Sequence, residues 1–151
     1  MGTEPLASPG WKEKAIITSL NEKQTILIVD DSMLNRALLA DMIGDAYRIV
    51  EAEDGKQAVA ALQKEGTGIS LVLLDYVMPQ MNGFDVLEVM NRNGWIKDIP
   101  VIMVSAESDA AYIERAYELG VTDFINRPYG VNIVRRRVMN TLMLYQKQRT
   151  L

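Results

Sequence analysis

The chain has 151 residues, the length of one ordinary domain, and its 48% apolar content is enough for a core of that size. It contains no cysteine and no histidine, which excludes disulfides, thiolate nucleophiles, Cys/His zinc sites and Ser-His-Asp triads together. With 20 acidic against 16 basic residues the net charge is −4, so no nucleic acid contact by this chain is expected, and Arg135-Arg136-Arg137 is too short a basic cluster to reverse that. No apolar run reaches the length of a membrane span, and the N-terminus lacks a basic-then-apolar signal pattern. A cytoplasmic location without membrane contact is the expectation.

Residues 1–24 read as an N-terminal extension or linker. Pro5, Ser8, Pro9 and Gly10 make it loose, and Ala15 to Leu20 has the pattern of one or two helical turns. From Thr25 onward short apolar runs alternate with segments of helical period. Thr25 to Val29 is a β-type run ending in Asp30-Asp31. Ser32 caps a helix expected to turn Leu34, Leu38, Leu39, Met42 and Ile43 to one face. Arg48 to Ala52 reads as the second strand. Asp54 caps a helix carrying Ala58, Val59, Ala61 and Leu62, which Gly66 and Gly68 end. Ile69 to Leu74 is a third strand, ending in Asp75. After the Met78-Pro79 turn, a helix from Gly83 carries Phe84, Leu87 and Met90.

Ile99 to Val104 is the fourth strand, and Ser105 follows it, where a cap for the next helix is the plain reading. That helix carries Ala110, Ile113, Ala116 and Leu119 and stops at Gly120. Asp123 to Asn126 is a short fifth strand before Arg127-Pro128. A final helix places Val131, Val134, Val138, Leu142 and Tyr145 on one stripe. It continues toward residue 151, as a connector to an output domain or to a dimer partner would. The first, third and fourth strands lack period-two alternation, as strands buried on both faces do. Five strands alternating with five helices define a three-layer, doubly wound (βα)5 α/β domain with a parallel five-stranded sheet.

In such a sheet, ligands bind at the carboxyl ends of the strands. Asp30, Asp31, Asp75, Ser105 and Arg127 all fall there. In the strand order 2-1-3-4-5 the first and third strands are neighbours, so three carboxylates converge. Like charges in one pocket repel and raise each other's pKa, and a cation relieves that. Oxygen ligands in low number suit Mg2+, which would also neutralise an incoming phosphoryl group. A carboxylate is a competent nucleophile in phosphoryl transfer, and Asp75 is the central one. Ser105 and Arg127 supply donors to phosphoryl oxygens.

These residues resemble the receiver domains of two-component response regulators, which have the flavodoxin-like strand order. The resemblance covers Thr25 to Lys147. It rests on Ile28-Val29-Asp30-Asp31-Ser32, Leu73-Leu74-Asp75-Tyr76-Val77-Met78-Pro79-Gln80-Met81-Asn82-Gly83, Val104-Ser105-Ala106 and Asp123-Phe124-Ile125-Asn126-Arg127-Pro128-Tyr129. It implies that Asp75 is the phosphoacceptor and that Asp31, Asp75 and the Val77 carbonyl ligate Mg2+ (or Mn2+), with Asp30 acting through water. It implies that Ser105 and Phe124 switch together and remodel the face of the fourth helix, fifth strand and fifth helix, a possible homodimer surface. It also implies a sensor histidine kinase or phosphotransfer protein as phosphodonor, and a signalling switch that catalyses only its own phosphotransfer and slow dephosphorylation. The family normally has Lys where this chain has Arg127, which keeps the charge but is longer and planar. Ser105 replaces the commoner Thr and keeps the hydroxyl.

Competing readings are distinguishable. An FMN binder of the same topology needs a Ser/Thr/Gly-rich phosphate loop where Asp30-Asp31 stands. A haloacid-dehalogenase-like phosphohydrolase needs a second Asp two positions after its nucleophile, where this chain has Ser32. The remaining alternative is a receiver-like interaction module that works without phosphorylation.

Overall fold

The computed structural model describes residues 23–106 and 109–150, with side chains up to residue 146. The helix expected between Ala15 and Leu20 lies outside the described residues. In chain order the elements are β1 (Thr25–Val29), α1 (Met33–Ile43), β2 (Arg48–Ala52), α2 (Gly55–Glu65) and β3 (Leu71–Leu74). They continue with α3 (Gly83–Arg92), β4 (Val101–Ser105), α4 (Ala110–Glu118), β5 (Asp123–Asn126) and α5 (Val131–Thr150). The five strands form one parallel sheet in the order β2-β1-β3-β4-β5, as expected.

Each central strand is buried on both faces, which is why its sequence reads as an unbroken apolar run. Leu27, Val29, Val72, Leu74, Val101 and Met103 face one core with Ala58, Leu62, Val86, Leu87, Met90 and Ala116 from α2, α3 and α4. Ile26, Ile28, Leu71, Leu73, Ile102 and Val104 face the other, with Leu39 and Ile43 of α1 and Val134, Val138 and Leu142 of α5. Removing these apolar faces from water is the main driving force for the three layers.

β3 and β4 begin two residues later than their apolar runs. Ile69 and Ile99 are buried, but their N–H groups close turns onto Gly66 and Trp95 at 3.0 Å each instead of joining the ladder. The α1 helix also departs from expectation. Leu34 and Leu38 are exposed, at 67% and 45%, and Arg36, Leu39 and Ile43 form the buried line. Arg36 turns inward because it finds buried acceptors there, and that rotates the two leucines out. Val131 and Ala110 are likewise exposed, while the rest of their stripes is buried or half-buried.

Candidate functional site

Helix starts frame the upper edge of the sheet. Ser32 caps α1 by accepting the Asn35 N–H at 3.2 Å, and Asp54 caps α2 by accepting the Gln57 N–H at 2.8 Å. At α3, Asn82 and Asp85 cap one another reciprocally, each side chain accepting the other's N–H at 3.0 Å. The cap of α4 is Asp109, which accepts the Ala111 N–H at 2.8 Å, so Ser105 does not serve there. Three residues separate Ser105 from that cap, and Ser105 is still part of β4.

Asp30 and Asp75 stand one residue past their strands, yet the ladder continues through their main chain. The Asp30 N–H donates to Ala52 at 3.1 Å and the Asp75 N–H to Val29 at 2.9 Å. This fixes the first and third carboxylates on adjacent strands. Asp31 follows on the exposed side. Carboxylate oxygens from Asp30, Asp31 and Asp75 come within 4.8 Å of one another. Asp30 and Asp75 are buried, at 1% and 5% exposure.

Such a cluster is electrostatically costly. Burial raises the Asp75 carboxyl to a pKa of about 6, and the charge of Asp30 adds to the rise. Arg127 and the Tyr76 main-chain N–H pull it back, and Asp31 pushes it slightly up again. Arg127 reaches both buried acids: Nη2 lies 2.5 Å from Asp30 Oδ2 and Nη1 3.4 Å from Asp75 Oδ1. Burial works against the Arg127 charge, but Asp75 and the hydrogen bond and charge of Asp30 outweigh it, so its pKa is raised. The second oxygen of Asp30 accepts the Ser32 N–H at 2.9 Å. Arg127 is in turn placed by its own N–H, which donates to the Ser105 carbonyl at 3.0 Å. The Arg127–Pro128 peptide is cis.

The donor set is hard oxygen, low in number and anionic, and its oxygens are close enough to share one ion. The residues therefore fit Mg2+. Val77, two residues past Asp75, lies in the β3–α3 loop with its side chain exposed. Ser105 is buried at the end of β4, one strand from Asp75. Phe124 is buried on β5, paired in register with Met103 of β4.

Three features escaped the sequence reading. Arg36 is a buried cation beneath β1, donating from Nη1 to the Asp30 carbonyl at 2.7 Å and from Nε to Glu51 at 2.8 Å. Its spacing from Leu39 and Ile43, three and seven positions, was the available signal. The second is Gly83, where a Cβ would sit 2.6 Å from the Asp75 carbonyl oxygen and 3.0 Å from Tyr76 Cα. The glycine lets the α3 start close against the Asp75 turn, with its N–H on the Tyr76 carbonyl at 2.9 Å. The third is an aromatic cluster. Tyr76 packs on Phe84 and Tyr112 with ring centroids 4.7 and 4.6 Å apart, and Tyr112 meets Phe124 edge-on at 5.7 Å.

The family model for the response regulator receiver domain matches residues 26–139. The chain belongs to the response regulator receiver family. This receiver domain is 38% identical over 114 residues to a Vibrio cholerae protein named "Probable cyclic di-GMP phosphodiesterase", covering 76% of the chain but only 25% of that relative. It is 31% identical over 119 residues to the two-component response regulator ORR3 of Oryza sativa subsp. indica, covering 78% of the chain and 90% of the relative. Among solved structures, a chain of the CheX–CheY–BeF3–Mg2+ complex from Borrelia burgdorferi matches with a TM-score of 0.70 at 31% identity, covering 77% of this receiver and 87% of that chain. The receiver thus spans about a quarter of the bacterial relative's length. No helix among its described residues is long and apolar enough to cross a membrane.

Proposed function

We propose that this receiver takes a phosphoryl group onto Asp75 from the phosphohistidine of a partner sensor kinase or phosphotransfer protein, in a reaction that needs Mg2+ or Mn2+. The observation that carries this reading is the convergence of Asp30, Asp31 and Asp75 within 4.8 Å, bridged by Arg127. An Asp75 carboxylate oxygen attacks phosphorus, the P–N bond of the donor breaks, and the donor imidazole leaves with its electron pair and takes up a proton. The product is an acyl phosphate on Asp75. The chain has no histidine, so the donor is another protein or domain.

Asp31, Asp75 and the Val77 carbonyl would hold the ion, and Asp30 would hold it through water. When bound, the ion supplies neutralising charge to the phosphoryl oxygens. Arg127 and the Ser105 hydroxyl donate to those oxygens from the opposite side. The Met33, Leu34 and Leu38 side chains, exposed on α1 next to Asp31, give the donor an apolar docking surface. Phosphorylation draws Ser105 inward and changes the packing of Phe124, and this reaches the α4–β5–α5 face. Arg137 of α5 bridges that face to β5, through Asp123 at 3.3 Å and through the Phe124 carbonyl. Exposed Tyr117, Ile133 and Leu144 make it a fit surface for a second copy or an output domain. The receiver then spans residues 25–147, with 1–24 as a linker, and α5 leads onward to an output domain. The protein is a cytoplasmic signalling switch, not an enzyme acting on a separate substrate.

The test is incubation of the purified chain with Mg2+ and a small acyl phosphate or phosphoramidate, read by intact mass. One added phosphoryl group is expected, absent from Asp75→Asn and absent without metal. Labelling of Asp75→Asn would move the acceptor elsewhere. No labelling and no metal binding would leave the phosphorylation-independent module.

A further inference from the structure

The cation that already sits in the acidic pocket belongs to the chain. We propose that Arg127 is an internal competitor of the divalent metal: its guanidinium holds Asp30 and Asp75 together in the unphosphorylated domain, and metal affinity is set by how readily it lets go. The inference rests on the receiver reading above and concerns the regulation of the same site.

The geometry is specific to a guanidinium. Two different nitrogens reach two different carboxylates, Nη2 to Asp30 at 2.5 Å and Nη1 to Asp75 at 3.4 Å. The rigid planar fork presents both donors at once and loses little freedom in doing so. The Arg127 side chain is 23% exposed and its Asp30 partner 1%, so the pair is shielded from solvent and its attraction exceeds that of a surface ion pair. The other Asp30 oxygen is also engaged, by the Ser32 N–H. Each Asp30 oxygen thus already accepts from a protein donor, and a divalent ion brought to Asp30 and Asp75 meets the like charge of Arg127 in place, which opposes it until the guanidinium withdraws.

Asp31 differs. It is exposed, and it lies next to Asp30 on the solvent side of the cluster. The pocket thus has an open anionic entrance and an internally neutralised floor. The main-chain N–H of Arg127 is held by the Ser105 carbonyl at 3.0 Å, so the guanidinium withdraws by rotation of its own side chain while its root stays in place. A phosphoryl group on Asp75 offers new anionic oxygens to the same fork. Phosphorylation therefore moves Arg127 off Asp30 and frees the floor for the metal, so metal and phosphoryl group bind with positive coupling.

The experiment uses the full chain stripped of metal. Mg2+ and Mn2+ are titrated into wild type, Arg127→Lys, Arg127→Gln and Asp31→Asn, with calorimetry and the emission of the tyrosines as readouts. Thermal unfolding in chelator checks that each variant is folded. Arg127→Lys preserves charge but has no fork, so a Kd about tenfold tighter than wild type is expected for it. A further tightening is expected for Arg127→Gln, and tight binding by the variants where wild type shows none supports the proposal equally. Equal Kd values for wild type and Arg127→Lys, or weaker binding in both Arg127 variants, would overturn it. Failure of wild type and both Arg127 variants to bind either ion would instead sink the proposed metal-dependent phosphorylation. Loss of binding in Asp31→Asn alone marks that reading as sound.

Discussion

Arg36 of α1 holds Asp30 from beneath, its Nη1 donating to the Asp30 main-chain carbonyl at 2.7 Å. The same guanidinium spends its Nε on Glu51 of β2 at 2.8 Å, so one buried cation ties α1, β1 and β2 at the floor of the acidic pocket. Replacing it by Met keeps much of the apolar stem and leaves the carbonyl without its donor. Arg36→Met is expected to cost about 1–3 kcal/mol in urea unfolding and to weaken Mg2+ binding. Arg36→Lys, which can still donate to the carbonyl, should recover more of the metal affinity than Met does. Equal metal affinity in wild type and Arg36→Met would show that Arg36 only stabilises the fold.

Gly83 leaves no room for a methyl group, since the added Cβ would meet main-chain atoms of Asp75 and Tyr76. Neither neighbour can rotate away. Gly83→Ala is expected to destabilise by about 1–3 kcal/mol and to slow acyl-phosphate labelling of Asp75, because the α3 start must back away from the Asp75 turn. Denaturant melts and labelling rates measured on one preparation check both effects. Labelling at the wild-type rate would mean that the turn tolerates the shift.

The raised Asp75 carboxyl predicts an unusual pH response in metal-free protein. Its pKa is about 6 in the fold against an ordinary value of 3.8. Below 3.8 the carboxyl is neutral in both the folded and unfolded chain. Between the two values the folded chain keeps a proton that the unfolded chain has lost. Stability from this group is therefore full below the lower value and falls as pH rises through about 6, by no more than about 3 kcal/mol. In chelator, Asp75→Asn should flatten that fall and be more stable than wild type at pH 8. Parallel melts of the two proteins at pH 5 and pH 8 check it, and an identical pH dependence would refute it.

Tyr112 joins two places that the proposed switch has to connect. It contacts Tyr76, the residue after Asp75, and it also contacts Phe124 on β5. Its hydroxyl lies 3.2 Å from the Met103 sulfur, which anchors the ring over β4. Tyr112→Leu is expected to leave the labelling rate within about twofold, because the ring packs on Tyr76, Phe84 and Phe124 and its hydroxyl on the Met103 sulfur. The response of Phe124 and the α4–β5–α5 face to phosphorylation, read by NMR shifts of labelled protein, should shrink. A response of wild-type size would place the coupling in Ser105 alone.

Much of this was legible in residue order. Uninterrupted apolar runs from Ile26 to Val29 and from Leu71 to Leu74 suit strands covered on both faces, so the layered parallel sheet followed from them. The acidic cluster was legible because strand ends in such a sheet share one edge. The rotation of α1 was not. An apolar count puts Leu34 and Leu38 inside, whereas the helix turns to bury Arg36, whose acceptors lie 15 residues away on Glu51 and on the main chain of Asp30. Gly83 read as turn chemistry because the atoms that forbid a side chain there belong to the Asp75 turn, eight residues earlier. The two-pronged reach of Arg127 was also hidden, since Asp30 is 97 residues distant along the chain.

The hydrogen bond from the Arg127 N–H to the Ser105 carbonyl has a mechanical consequence. Asp30 and Asp75 are pinned into the interior of the sheet by bonds to the strands beside them. Ser105 and Arg127 are pinned to each other, at the border where β5 has a neighbour on one side only. Asp30, Asp75 and Arg127 are thus each rooted by a main-chain bond to a neighbouring strand, so the three roots keep their spacing and the length of the Arg127 side chain spans the gap between them.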